Sequence, residues 1–209
     1  MLKIIEFVCT ANHGRSKPAK LIGGNYLVEI DADKEYKVTS SGTSVDDIQN
    51  NRVPVSSMIR IIGIGKQRAL YSAYELKEID QATRDGNGEV LRHFYNKAAD
   101  RFKKEEHEHR TEALKHFGIE GVIEETQEQT IARPDTIAVF SMAESNNRQV
   151  LSIYEGSGYK PVIDVLSRFA TGDKDAALPD VFGKSKAEYF KAVEVLLEHV
   201  PMAIDRLIN

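Results

Sequence analysis

FVCTANHGRS, residues 7–16, holds the only cysteine of the 209-residue chain, Cys9, at the end of an apolar run, and Asn12, Gly14, Arg15 and Ser16 follow it closely. A free cysteine is most often a small buried hydrophobe. Here the flanks argue for more. KIIEFV (3–8) has the short apolar character of a buried strand, and Ala19, Leu21, Ile22, Tyr26 and Leu27 recur at helical spacing over 17–29. The stretch is therefore the loop of a strand–loop–helix unit. Such a loop turns several backbone N–H groups toward one spot, where the helix dipole favours an anion.

Working outward, EYKVTSSGT (35–43), DTIAVFSM (135–142) and YKPVIDV (159–165) read as three further strands. Helical patterns lie at 110–117 and 144–155, and Ser185 with Glu188 forms an S-x-x-E capping box for a last helix whose apolar stripe runs until Pro201 disturbs it. This alternation predicts an α/β fold: a three-layer structure with a parallel four-stranded sheet and helices on both faces. Residues 66–109 depart from it. A helical pattern over 69–83, the turn DGNG (85–88) and the face Leu91, Phe94, Tyr95, Ala98, Phe102 predict an inserted helical hairpin within one domain spanning 1–209.

Composition narrows the classes. Apolar residues make up 41% and charged residues 29%, and neither an eighteen-residue apolar stretch nor an apolar leader is present, so a soluble cytoplasmic protein with no membrane partner is expected. One cysteine excludes an internal disulfide or a cysteine zinc cluster. A formal net charge of −4 gives no basic footprint for nucleic acid.

The chemistry follows from residue types. Arg15 offers a planar fork of donors that grips two phosphate oxygens, Gly14 relieves the turn, and Cys9 at the mouth of the N–H cradle would have its thiolate stabilised. Ser16 can donate to sulfur when it leaves in a second step. Cys9–Ser16 resembles the C-x5-R-S signature of protein tyrosine phosphatases, and its N-terminal place with Asn12 inside the loop resembles the low-molecular-weight class. VTSSGTS (38–44), RTEALKHFGIE (110–120), IAVFSMAESNNRQVL (137–151) and LPDVFGKSKAEYF (178–190) are similar to later segments of that family.

The resemblance implies that Cys9 is the nucleophile, Arg15 the phosphate clamp and Asp180 the proton donor to the leaving oxygen. Thr10, Ala11, Asn12, His13, Gly14 and Ser16 would bind the substrate phosphate, Phe182 would form the aromatic wall, and Ser40 would support the loop through Asn12. It implies no cofactor and no metal. The partner would be a phosphorylated protein or small phosphomonoester, and the product inorganic phosphate. Gly14 stands where the family has a second cysteine, Val181 where it has Pro after the acid, and His13 where it has a residue that touches the substrate.

The leading expectation is a protein tyrosine phosphatase working through a phosphocysteine intermediate. Arsenate reductase and phosphoarginine phosphatase on the same fold are alternatives, as is a non-catalytic anion-binding or docking module. GIGKQR (63–68) lacks the third glycine of a dinucleotide loop. EEHEHR (105–110) reads as a solvated charged face, since His107 and His109, two apart, point in different directions on a helix. The hairpin aromatics are expected to pack it onto the domain near the Cys9 loop.

Overall fold

A computed structural model describes residues 2–209. Four strands, β1 (Lys3–Cys9), β2 (Tyr36–Gly42), β3 (Thr136–Ser141) and β4 (Val162–Val165), form one sheet in the order β2-β1-β3-β4, with every neighbouring pair parallel. Eight helices connect and cover them: α1 (Ser16–Glu29), α2 (Val45–Gln49), α3 (Val55–Gln67), α4 (Ala73–Asp85), α5 (Gly88–His116), α6 (Glu144–Tyr154), α7 (Leu166–Thr171) and α8 (Lys186–Ile208). None is long and apolar enough to cross a membrane.

Side chains alternate across each strand, so each face of the sheet has its own core. Ile5, Phe7, Ala138 and Phe140 point to one face and pack with Ile22 of α1, Ala170 of α7 and Leu196, Val200 and Ile204 of α8. Val8 and Val139 point to the other, against Val150 and Tyr154 of α6. The chain leaves β1 toward β2 on one side, while β3 and β4 lie on the other, so the connections diverge at the C-terminal ends of β1 and β3. Ligands of open α/β sheets bind in the crevice such a divergence leaves. Cys9 is the last residue of β1 and sits there.

The helical segment differs from its expected outline. It begins at Val55 rather than 66, so GIGKQR falls largely within α3. Its second arm does not stop at 109 but runs unbroken through the 110–116 pattern as the 29-residue α5. The capping box Ser72/Glu75 and Gly86 in a left-handed conformation bound α4, and an Asn87 cap starts α5. Ile61, Ile62, Ile79, Leu91, Phe94 and Phe102 then form a core of their own. α8 is also longer than its pattern predicted. Pro201 removes one helical hydrogen bond, yet the helix continues because Val200, Ala203 and Ile204 on either side are fully buried.

Glu6, in the middle of β1, is completely buried on the α6 face, and neither of its carboxyl oxygens has a hydrogen-bond partner. Burial raises its carboxyl above the ordinary glutamate value, against the opposing influence of Ser41 and Arg133. A raised folded-state value means that folding takes up a proton. The stability is therefore fullest below the ordinary carboxyl range and is lost as pH rises toward the raised value. Glu6→Gln is expected to flatten that decline. Urea unfolding at pH 5 and pH 8 should show the Gln variant gaining stability on the parent as pH rises across the interval, and parallel pH curves would refute the assignment.

Candidate active site

The loop between β1 and α1 is held from outside by its own carbonyl groups. Thr43 and Ser44 donate backbone N–H to the carbonyls of Cys9 and Thr10 at 3.0 and 2.9 Å. Gln127 Nε2 donates to Ala11 O at 2.5 Å, Arg110 Nη1 to His13 O at 2.9 Å, and the Tyr189 hydroxyl to Gly14 O. With its oxygens drawn outward, the loop leaves the backbone N–H groups of residues 10–15 without an acceptor among the described residues. That is the arrangement of an anion-binding nest.

A second network fixes the loop's interior. Asn12 sits at φ +47°, a left-handed conformation that Asn tolerates better than most residues. Its Nδ2 donates to Ser40 O at 3.2 Å, and its Oδ1 accepts from Ser40 Oγ at 3.1 Å and from Ser16 Oγ at 3.2 Å. Ser16 Oγ also lies 3.1 Å from Cys9 Sγ. A hydroxyl has one proton, so it serves either Asn12 or the sulfur. With Cys9 as a thiol, S–H can donate to Ser16 while Ser16 donates to Asn12. With Cys9 as a thiolate, the Ser16 proton turns to sulfur and Ser40 alone holds Asn12 Oδ1.

Arg15 and Asp180 meet across the crevice: Arg15 Nη2 lies 3.2 Å from Asp180 Oδ1, with the guanidinium largely buried and the carboxylate about half exposed. Arg15 Nη1 donates to Met142 O at 3.4 Å, beyond the end of β3. Thr10 Oγ1 accepts from Asn146 Nδ2 at 3.1 Å, and Ala11 is half-buried. Phe182 packs edge-on against Phe102 of α5, with ring centroids 5.5 Å apart, so one wall of the Asp180 segment rests on the helical segment.

His13 does not face the crevice. Its ring is buried, with Nε2 3.2 Å from Lys103 O, so Nε2–H is the donor and the tautomer is set. Burial, helped by the Arg110 charge, lowers it to about 4, and the ring is neutral at physiological pH.

Charged residues of α5 overturn the expectation of a solvated face at 105–110. Glu106 and Arg110, one turn apart, are buried against the loop. Arg110 spans from His13 O to Glu125 Oε1, the latter at 2.5 Å. Sequence reasoning missed Glu106, Arg110, Gln127 and Tyr189. The i,i+4 spacing of Glu106 and Arg110, continuing the stripe from Leu91 through Phe102, was the available signal.

No family model and no curated protein matches the sequence. Solved structures match in fold. The chain is similar to a protein tyrosine phosphatase from Entamoeba histolytica, with a TM-score of 0.59 and 13% identity over 98% of this chain and 96% of that one. A low molecular weight protein tyrosine phosphatase from T. tengcongensis gives 0.56 and 18% over 98% and 99%. The YwlE arginine phosphatase, in a mutant whose active-site serine is phosphorylated, gives 0.56 and 14% over 98% and 95%. The chain has the fold of the low molecular weight protein tyrosine phosphatases.

Gly42, at the end of β2, makes the close approach to the loop possible. A Cβ there would lie 2.5 Å from Asn12 N and 2.8 Å from Thr10 O, both backbone atoms that cannot step aside. Gly42→Ala is expected to lower stability by about 1–3 kcal/mol through overpacking. It should also speed reaction of the buried Cys9 with a thiol reagent, because the displaced loop opens. An alanine variant with parent stability and thiol reactivity would show that the contact carries no strain.

Proposed function

We propose that this chain is a cysteine-dependent phosphomonoester hydrolase, acting on phosphotyrosine in proteins or on a small aryl phosphate through a phosphocysteine intermediate. One observation carries the reading. Cys9 ends a strand at a loop whose N–H groups have no acceptor among the described residues, with Ser16 at 3.1 Å from its sulfur and Arg15 of the same loop paired with Asp180. The phosphorylated active-site serine that replaces a cysteine in an arginine phosphatase of this fold supports a covalent phosphoryl step at a cysteine.

The reaction follows from these positions. Phosphate oxygens take the loop N–H groups and the Arg15 fork, which gives up its contact with Asp180 to them. The Cys9 thiolate attacks phosphorus; the S–P bond forms as the P–O bond to the leaving group breaks, and Asp180 delivers a proton to that oxygen. Asp180, now a carboxylate, then takes a proton from water as the water oxygen attacks phosphorus. The S–P bond breaks, Ser16 stabilises the departing thiolate, and inorganic phosphate leaves. Phosphoryl transfer of this kind needs positioning and charge stabilisation more than covalent help from the protein.

Cys9→Ser is expected to abolish turnover of an aryl phosphate while leaving anion binding intact, since the cradle and Arg15 remain; a variant that turns over normally would remove Cys9 from the mechanism. Asp180→Asn tests the acid. An electron-poor phenol leaves readily as its anion, whereas tyrosine needs the proton, so phosphotyrosine hydrolysis should slow by roughly a hundred- to ten-thousandfold and an activated aryl phosphate far less. Equal losses on the two substrates would make Asp180 a structural residue. Phosphoarginine assayed alongside, because an arginine phosphatase shares the fold, separates the two substrate classes by relative kcat/KM.

A further inference from the structure

Gly14 leaves a space in the loop, and Glu106 of α5 fills it. A Cβ at Gly14 would lie 1.8 Å from Glu106 Oε1 and 2.5 Å from its carboxyl carbon, so the carboxyl is packed directly on the loop backbone one residue before Arg15. It is buried. The groups that face it are His13 and Arg15 of the loop, Arg110 of its own helix, Asp180 of the segment before α8, and Tyr189 of α8. None neutralises it outright. His13 Nε2 stands 3.7 Å away on a ring that is neutral, Arg110 is committed to His13 O and Glu125, and Arg15 is already paired with Asp180.

We propose that Glu106 makes anion binding at the Cys9–Arg15 loop proton-linked: an anion entering the cradle sets a second negative charge against this carboxyl, which holds its proton more tightly and draws protons from solvent as the anion binds. The inference rests on the reading of the loop as a phosphate cradle. An unpaired buried carboxylate is neutralised by protonation at lower cost than it can be kept charged. Burial, together with Asp180 and against Arg110 and Arg15, already raises Glu106 to about 7, where a further anionic neighbour tips it to the neutral form. The linkage is reciprocal: whatever an anion does to the proton affinity of Glu106, the proton does to the affinity for the anion. Binding should therefore be strongest where Glu106 is neutral and weaken as it ionises. Glu106 is thus a positioning residue, and it brings the pH response of the site from α5.

The test uses sulfate, whose charge is constant between pH 5 and 9, and the Cys9→Ser protein, which removes the thiol titration. Titration calorimetry in buffers of different ionisation enthalpy reads affinity and proton uptake together. With Glu106 present, uptake should peak at about half a proton per sulfate near pH 7.5, and affinity should fall about tenfold between pH 6 and 8.5, the equivalent of one pKa unit. In Cys9→Ser with Glu106→Gln, uptake should vanish and affinity should stay level. Uptake and slope that survive the Gln substitution, or that disappear instead in His107→Gln, would overturn the assignment. So would a parent protein that binds sulfate with no proton uptake, a result that requires no Glu106 variant to fold; Glu106→Met offers a second neutral side chain if Gln is not tolerated. Failure of both proteins to bind sulfate at any pH would instead bring down the phosphate-cradle reading, and this inference with it.

Discussion

The outward pull on the carbonyls of residues 9–14 is the constraint on which the rest of the site depends. A loop of six residues has as many acceptors as donors, and left alone it would satisfy them internally or with water. Here Thr43, Ser44, Gln127, Arg110 and Tyr189 take five of the carbonyls. The N–H groups of residues 10–15 are left with no acceptor among the described residues. The availability of those N–H groups is thus set by donors that lie outside the loop, drawn from segments far apart in sequence. Arg110 and Tyr189 among them are buried, so removing either leaves a carbonyl unpaired in a poorly hydrated place and not merely one hydrogen bond fewer.

One of those supports sits in an electrostatically demanding setting. Arg110 is 1% exposed, yet it carries a full charge between a carbonyl, a histidine and a carboxylate. Ion pairs in such surroundings offset a desolvation cost instead of adding freely to stability. Their value lies in geometry: the guanidinium fork fixes His13 O and the 125 segment relative to each other. The same burial holds His13 neutral, which lets its ring act as a wedge between loop and helix without adding a cation beside Arg15.

The central strands β1 and β3 were legible because buried parallel strands announce themselves as apolar runs, and all four strands lie within KIIEFVC, EYKVTSSGT, DTIAVFSM and YKPVIDV. The last helix was legible from its capping box, which the structure makes with Ser185 accepting from Glu188 N at 3.3 Å. Cys9, Arg15, Ser16 and Asn12 could be grouped because they lie within one turn of chain. Asp180 could be joined to them only through resemblance, since nothing local distinguishes an Asp after Pro179. Glu106 and Arg110 were hidden for the opposite reason. In a run as charged as EEHEHR, composition says surface, and only the helical phase inherited from Phe94, Ala98 and Phe102 says interior. The end of the hairpin was missed because a helix passing from one core to another keeps its periodicity throughout.

That continuity bears on how the molecule can be divided. α5 extends about 43 Å at the usual helical rise. Its first half packs the α3–α4 core, and its second half carries Glu106, Arg110 and Leu114 to the loop and to α8. The segment has a seam before Val55, where the chain is irregular, but none on its far side. No cut after Phe102 would separate an accessory module from a complete remainder. Whatever the two halves do, they share one continuous helix and are exchanged only as a pair.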